Sequence, residues 1–283
     1  MAAVPLLRAV ALTTLTMIAF AGNSLLCRLA LKNTSIDPAS FTAVRLVSGA
    51  GMLWLLGLVR STTATGTGNW WSALALVAYA VAFSFAYVTL PASTGALLLF
   101  GTVQATMIGV GTWRGERLVG RQIAGLVLAL GGLVGLLAPG LSAPPVVGAA
   151  LMLTAGVFWG VYSLRGRAGG DPTRVTAGNF LRAAPLGVAL GLIGLRSASL
   201  DAAGLGYAVA SGAIASGLGY AIWYSALPAL SSTSAAVVQL SVPVIAALGG
   251  YLFLGEAITP RLVLASIAIL GGIAAVVVGP RSR

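Results

Sequence analysis

The sequence predicts an all-α integral membrane fold in which ten transmembrane helices form two inverted five-helix repeats. Its composition, the spacing of its apolar runs and a pattern shared by its two halves point to this fold. Of the 283 residues, 58% are hydrophobic and 7% are charged, and the mean hydropathy is +1.00. Ordinary soluble domains are far less apolar. Runs of about 20 residues without an ionised side chain match the hydrocarbon thickness of a bilayer, so lipid is expected to surround the protein.

Ten apolar runs, separated by charges, prolines and glycine clusters, are the predicted membrane spans. In the first half they cover residues 7–31, 39–59, 70–90, 92–112 and 119–137. In the second half they cover residues 146–164, 174–195, 204–226, 231–253 and 261–279. The stretch Ala138–Pro145 is the predicted boundary, because prolines interrupt helices. Repeat one is therefore residues 1–140 and repeat two is residues 141–283, within one membrane domain spanning 1–283.

The basic residues predict the topology. The chain has 16 lysines and arginines and a formal net charge of +11. Most of them lie at loop ends on the side of the N-terminus: Arg8, Arg60, Arg114, Arg117, Arg121, Arg165, Arg167, Arg174, Arg281 and Arg283. The opposite loops hold Lys32, Arg196 and Arg261. Because basic loops stay in the cytoplasm, both termini of a multi-pass protein of the cytoplasmic (inner) membrane are predicted to be cytoplasmic. The sequence has no basic helix face with interleaved aromatics, so nucleic acid is not an expected partner.

Side chains suited to catalysis are scarce. The chain contains no histidine, one cysteine and five acidic residues. Catalytic triads, paired carboxylates and metal clusters therefore lack their parts. We expect no enzyme activity, no catalytic residue, no metal and no cofactor.

Residues recur between the halves. Gly115-Glu116, Arg121 and Gly131-Gly132 reappear 140 residues later as Gly255-Glu256, Arg261 and Gly271-Gly272. Tyr87 and Pro91 likewise match Tyr224 and Pro228. Because each half contains an odd number of spans, the second copy must enter the membrane from the opposite side. Inverted repeats of this kind build proteins with alternating access to a central site, although a static duplicated scaffold is an alternative.

These features resemble the EamA-type family of the drug/metabolite transporter superfamily, whose members carry two tandem five-helix units. The resemblance rests on the helix starts at Pro91 and Pro228, the paired Gly-Glu turns and the glycine-rich closing helix of each half. It implies a carrier that exports small metabolites, commonly amino acids, and the chain looks similar to the aromatic amino-acid exporters. We expect the carrier to be a monomer. It also implies a cavity formed mainly by the first, third, fourth, sixth, eighth and ninth helices. A small-molecule substrate and the lipid bilayer are then the expected partners. Export of another metabolite or drug, or a nonenzymatic scaffold, are the alternatives.

Aromatic residues are the first candidates for substrate binding. Tyr79, Phe83 and Tyr87 recur every four residues, which places them on one face of the third helix. The repeat gives the eighth helix a similar face with Tyr220, Trp223 and Tyr224, and the sixth helix adds Trp159 and Tyr162. Such rings suit an apolar or aromatic solute. Packing between helices is the alternative interpretation.

Polar residues within the spans are the second group. Asn23, Ser24 and Gln239 must find partners or water in the membrane, so they are candidates for hydrogen bonds to substrate or between helices. Arg45 and Arg182 are expensive at membrane depth. They either meet a substrate carboxylate or extend to the interface.

The acidic residues give two further expectations. Glu116 and Glu256 adjoin glycines at turns. We expect them to cap helices or to pair with Arg121 and Arg261. The spans lack deep acidic residues, which favours neutral or zwitterionic cargo.

Overall fold

In the part of the chain that the structure describes, ten helices are long and apolar enough to cross a membrane, and they form a bundle. The computed structural model describes residues 6–59, 68–115, 117–140, 143–165, 171–194, 198–230 and 232–278. The first half contains α1 (Leu6–Asn33), α2 (Pro38–Val59), α3 (Trp70–Tyr87), α4 (Ala92–Trp113) and α5 (Gly120–Leu137). The second contains α6 (Val146–Arg165), α7 (Pro172–Ile193), α8 (Ala202–Ala229), α9 (Ser232–Gln239 and Ser241–Leu254) and α10 (Pro260–Val278).

The prediction of an all-α membrane protein is confirmed. Strands do not occur in the ranges just given, and the ten helices follow the predicted spans to within a few residues. Some positions used in the predictions lie outside the described residues. They are Arg60, Arg167, Arg196, Arg281, Arg283 and the predicted span ends at 195, 231 and 279.

Short polar side chains begin five of the helices in the described part of the chain; that of α10 is Thr259, whose hydroxyl accepts from the amide of Leu262 at 3.2 Å. Asp37 accepts hydrogen bonds from the amides of Ala39 and Ser40 at the start of α2, both at 3.0 Å. Equivalent caps stand before α3, α7 and α8, at Asn69, Asp171 and Asp201. The first amides of a helix have no partner within it, so these side chains satisfy groups that lipid could not.

Two helices depart from the continuous spans that the sequence predicts. The middle of α8, Ala210–Leu218, is a π-helix between two α-helical segments. In α9 the helix is interrupted at Leu240. Pro243 explains this interruption, because it has no amide proton to donate to the carbonyl of Gln239 one turn earlier. Prolines at this depth are tolerated where neighbouring helices compensate.

Helices of the first half pack mainly against helices of the second. The neighbours of α1 are α8 and α9, those of α4 are α6 and α9, and α2 packs against α7. Helices α3 and α6 form another pair, as do α5 and α10. The core of the bundle therefore lies between the two halves of the chain.

Glycines bring α5 and α10 into close contact. A Cβ on Gly125 would lie 2.6 Å from the carbonyl oxygen of Gly272, and a Cβ on Gly132 would lie 2.7 Å from Cβ of Ala268. By contrast, a Cβ on Gly131 or Gly271 would meet no atom within 4 Å. Gly132 and Gly272 of the two glycine pairs thus serve helix packing, since small residues let helix backbones approach.

Candidate functional site

A small cavity lies between the two halves, near the middle of α1 and α8. Its wall comes from α1, α3, α4, α6 and α8, namely Phe20, Asn23, Ser24, Tyr79, Phe83, Leu99, Phe100, Trp159, Ala215, Ser216 and Tyr220. The ninth helix, which was also expected, supplies none of these residues. The open space suits about one water molecule. An amino acid is several times larger, so binding one would require the helices to separate.

Aromatic rings from three helices meet at Trp159. Its ring stacks on Tyr220 at 5.3 Å between centroids and on Tyr162 at the same distance, and it lies 4.7 Å from Tyr79. The rings of Phe83 and Tyr79 are 5.3 Å apart. The predicted common face of α3 is confirmed, because Tyr87 continues the row at 4.8 Å from Phe83.

A chain of hydrogen bonds crosses the polar side of the cavity. The Ser211 hydroxyl donates to Asn23 Oδ1 at 2.6 Å, and Asn23 Nδ2 donates to the Tyr79 hydroxyl oxygen at 3.3 Å. The same oxygen accepts from Arg45 Nη2 at 3.0 Å. Residues of α8, α1, α3 and α2 are therefore tied together at one point.

Arg45 is the buried cation of this network. Only 2% of the residue is exposed, so the alternative that its side chain reaches the interface is wrong for this position. The centre of its guanidinium group lies 4.8 Å from the Phe83 ring and 5.2 Å from the Tyr79 ring, as in cation–π contacts. Its Nη1 atom is buried without a hydrogen-bond partner.

Arg182, the other arginine expected at membrane depth, has a different environment. It is partly exposed, and its Nη1 donates to the carbonyl of Gly178 on its own helix at 2.8 Å. The backbone of α7 thus satisfies one of its donors, whereas the charge of Arg45 faces aromatic rings and a phenol.

Four predicted site residues lie behind the cavity wall. The hydroxyl of Tyr87 donates to the carbonyl of Ala92 at 3.3 Å. Those of Tyr162 and Tyr224 accept from Asn179 at 3.4 Å and from Thr176 at 3.2 Å. Trp223 packs edge-on against Phe20, 6.1 Å away. These side chains position the lining residues or support them from behind.

Gln239 lies away from this group. Its Nε2 donates to the carbonyl of Ala235 one turn earlier on α9, at 3.1 Å. It is absent from the cavity wall. A polar side chain in a span can satisfy itself on its own helix, and this one does.

A second cluster closes the bundle at the end where α1 finishes; we call it the Arg28 cluster. Arg28 Nε lies 3.1 Å from Glu256 Oε1, and Arg28 Nη1 donates to the carbonyls of Tyr87 and Val88, both at 2.9 Å. Glu256 Oε2 accepts from the amide of Ala92, the first residue of α4, at 2.7 Å. The cluster joins α1 to the α3–α4 and α9–α10 connections.

The expected pairing of Glu256 with Arg261 is wrong. Arg261 instead donates to the carbonyl of Pro139 at 3.3 Å. The amide of Ala92 follows a proline and has no side-chain cap of its own, so the carboxylate of Glu256 is drawn to the positive end of α4. Glu116, the counterpart of Glu256 in the first half, lies outside the described residues.

Several residues of the site escaped the sequence analysis. Ser211, Ala215 and Ser216 lie in the small-residue stretch ASGAIASGLG of α8, which carries no obvious chemical signal. Phe20 offers a signal, because it precedes Asn23 and Ser24 by about one helical turn. Leu99 and Phe100 look like ordinary apolar residues of a span.

Similarity to known proteins agrees with the fold. Residues 146–278 match the EamA-like transporter family. The chain is 58% identical to the uncharacterized protein PA1977 of Pseudomonas aeruginosa, over 97% of this chain and 96% of that protein. It is 36% identical to the threonine/homoserine exporter RhtA of Salmonella typhimurium, over 51% of this chain and 50% of RhtA. One solved crystal structure is 22% identical and superimposes with a TM-score of 0.65 over 94% of this chain and 98% of that one.

The ten spans, the cavity between the halves and these similarities define a multi-pass membrane transporter. Its family implies a small-molecule substrate and a lipid environment, and it is not an enzyme. The chain belongs to the EamA-like transporter family.

Proposed function

We propose that this transporter exports amino acids, with aromatic or other hydrophobic ones preferred. The observation that carries the proposal is the mixed wall of the cavity. It combines the stacked rings of Trp159 and Tyr220 with the hydrogen-bonded pair of Asn23 and Tyr79. An amino acid has the same division into an apolar part and a polar part. The partial similarity to RhtA, named a threonine/homoserine exporter, supports this class of cargo.

Charge supports a zwitterionic cargo. Among the residues described, no acidic side chain lines the cavity. A carrier for organic cations would use a carboxylate at membrane depth. The positive charge of Arg45 behind the wall instead favours a substrate with a negative group.

We infer that movement of the cargo occurs by alternating access between two inverted repeats, residues 1–140 and 141–283. The packing of α3 and α4 against α6 has a counterpart in the packing of α8 and α9 against α1, which favours this interpretation. The Arg28 cluster holds one end of the bundle closed. Release of the cargo at that end would require this cluster to separate.

We also propose an orientation in the membrane and an oligomeric state. The basic loops favour cytoplasmic termini in the inner membrane. A monomer is proposed because Gly125, Gly132 and Gly272, the glycines through which α5 and α10 approach closely, already contact each other's helices within one chain. A second copy is not needed to cover them.

Efflux from proteoliposomes tests the proposed function. Vesicles containing the purified protein are loaded with labelled phenylalanine, threonine or another amino acid, and saturable efflux is expected. Trp159→Leu should raise KM for phenylalanine roughly tenfold, since an aromatic contact contributes about 0.5–1.5 kcal/mol beyond its apolar area. Trp113→Leu is the matched control, because Trp113 is 88% exposed and lies at the end of α4.

The substrate panel separates the alternatives. Saturable efflux of a non-amino-acid metabolite or drug, with none of any amino acid, would assign the protein to that class instead. The absence of flux for every compound, with correctly folded protein, would favour a scaffold.

A further inference from the structure

Arg45 carries a buried charge without an acidic partner in the described part of the chain. Asp37, Asp171 and Asp201 cap helices, and Glu256 binds Arg28. An ion buried without a counter-charge is costly. Such a residue in a membrane span is expected to serve a ligand or a transported group.

The contacts of Arg45 leave one nitrogen of its guanidinium group without a partner. The rings of Phe83 and Tyr79 lie 4.8 and 5.2 Å from its centre. Nη2 is bonded to the Tyr79 hydroxyl, whereas Nη1 is buried and unbonded. A guanidinium group presents its donors as a planar fork that matches a carboxylate. The unused donor is therefore suited to a planar anion.

Arg45 does not itself line the cavity, but two residues that contact it do. Tyr79 and Phe83 both line the cavity and both touch Arg45. The cavity must enlarge to admit any cargo, and separation of α2 and α3 from α1 and α8 would open the path past Tyr79. A carboxylate that enters there meets Nη1 and the Tyr79 hydroxyl together.

We propose that Arg45 binds the carboxylate of the transported molecule, with the Tyr79 hydroxyl as a second donor. The inference rests on the proposed function, because it names the group of an amino acid that the same cavity recognises. The side chain of the cargo then lies against the stacked rings of Trp159 and Tyr220, which adjoin Tyr79. Specificity for a carboxylate and preference for an apolar side chain reside in different residues.

The test compares ligands that differ at the carboxylate. Efflux of labelled phenylalanine is competed with phenylalanine, phenylalaninamide and phenethylamine, in wild-type protein and in three variants. Wild type is expected to prefer phenylalanine over the amide by about tenfold or more, the size of a charge-assisted hydrogen bond. Arg45→Met should abolish this preference. Arg182→Met is the matched control and should retain it, since Arg182 is bonded to its own helix.

Folding of the variants is checked by size-exclusion profile and thermal midpoint. Removing an unpaired buried charge need not destabilise the protein, but Arg45→Lys guards against a misfolded Met variant. Lysine keeps the charge and lacks the fork, so about a tenfold loss of phenylalanine affinity is expected.

Each outcome bears on one of the two proposals. If wild-type protein exports phenylalanine but the amide competes equally, or if Arg45→Met keeps the preference, the role of Arg45 is overturned and amino-acid export stands. If no amino acid is exported, the proposed function fails. In that case the role of Arg45 is tested separately, by comparing the shifts in thermal midpoint that phenylacetate and phenylacetamide cause. A larger shift with phenylacetate that Arg45→Met removes would support the role of Arg45. Equal shifts with the two compounds would overturn it.

Discussion

Asp201 illustrates how one side chain can both start a helix and join two connections. It accepts a hydrogen bond from the amide of Gly204 in α8 at 2.7 Å. The amide and hydroxyl of Ser35, between α1 and α2, donate to its other oxygen at 2.8 and 3.0 Å. These bonds, that from Gly204 first, lower the pKa of Asp201 from 3.8 to about 2. The folded protein therefore favours the ionised carboxylate.

A dependence of stability on pH follows. Because the pKa is lower in the folded chain, the contribution of Asp201 is complete above the ordinary value of 3.8 and is lost as the pH falls through about 2. Asp201→Asn retains a capping side chain but does not titrate. The thermal midpoint of wild type should thus fall more steeply between pH 4 and pH 2 than that of Asp201→Asn. Parallel profiles for the two proteins would contradict this account.

The residues of the site were predictable where their signal is local. Tyr79 and Phe83 recur at helical spacing, and Asn23 is a polar side chain in an apolar run, so sequence alone indicated them. All three line the cavity. The depth of Arg45 was not predictable, because a position one or two turns inside a span allows either burial or extension to the interface. The approach of α8 to α2 decides between them, since a Cβ on Gly212 would clash with the carbonyl of Arg45.

At the scale of helices, α5 and α10 make a close contact through glycine. The backbone of Gly272 faces the carbonyl of Gly125 and the amide of Ala129, whereas its neighbour Gly271 faces open space. Two adjacent glycines of one helix therefore differ in what a methyl group would meet.

This difference gives a matched pair of substitutions. Gly272→Ala should lower the stability by about 1–3 kcal/mol, because a Cβ there presses on backbone atoms and the helices must separate. Gly271→Ala should be neutral or slightly stabilising, since alanine favours the helix. Thermal unfolding in the same detergent compares them. A loss of stability for Gly271→Ala equal to that for Gly272→Ala would show that the contact is not the cause.

The helices differ in how much of them the sequence determines. Spans such as α6 and α10 follow directly from apolar length and flanking prolines or charges, so their predicted bounds agree with the structure. The break in α9 is caused by Pro243, which the sequence shows. The residues around it are apolar enough that the sequence predicts one continuous span. The π-helix of α8 has no comparable signal. It depends on how a glycine-rich segment fits against α1 and α2, which only the assembled bundle determines.

At the scale of the molecule, the Arg28 cluster and the cavity are neighbours along α1. Cys27, the single cysteine of the chain, lies between them and is fully buried. A thiol reagent can reach it only when the bundle opens. Its reactivity therefore reports how often that end separates.

Weakening the cluster should expose this cysteine. Glu256→Gln keeps an acceptor for the amide of Ala92 but removes the charge that pairs with Arg28. Labelling of Cys27 by a maleimide is expected to become about tenfold faster, as for an opening equilibrium shifted by roughly 1.4 kcal/mol. Mass spectrometry of the protein after timed exposure measures the rate.

Arg261→Gln is the control at the same end of the bundle, because Arg261 bonds to Pro139 and not to Glu256. It should leave Cys27 protected, and a shared thermal midpoint would exclude general unfolding of the Glu256→Gln variant. Equal labelling rates for wild type and Glu256→Gln would mean that the ion pair does not hold this end closed.

The hydrogen bond between Glu256 and the first amide of α4 also links opening of the bundle to the entry of water. When the carboxylate withdraws, the amide of Ala92 and the Nε of Arg28 lose their partner together, while Arg28 Nη1 keeps the carbonyls of Tyr87 and Val88. Neither can remain bare in a low-dielectric surrounding, so water must arrive as they part. The rate at which the end of the bundle at the Arg28 cluster opens should therefore depend on water activity. Osmolytes, which lower the water activity, should slow this opening.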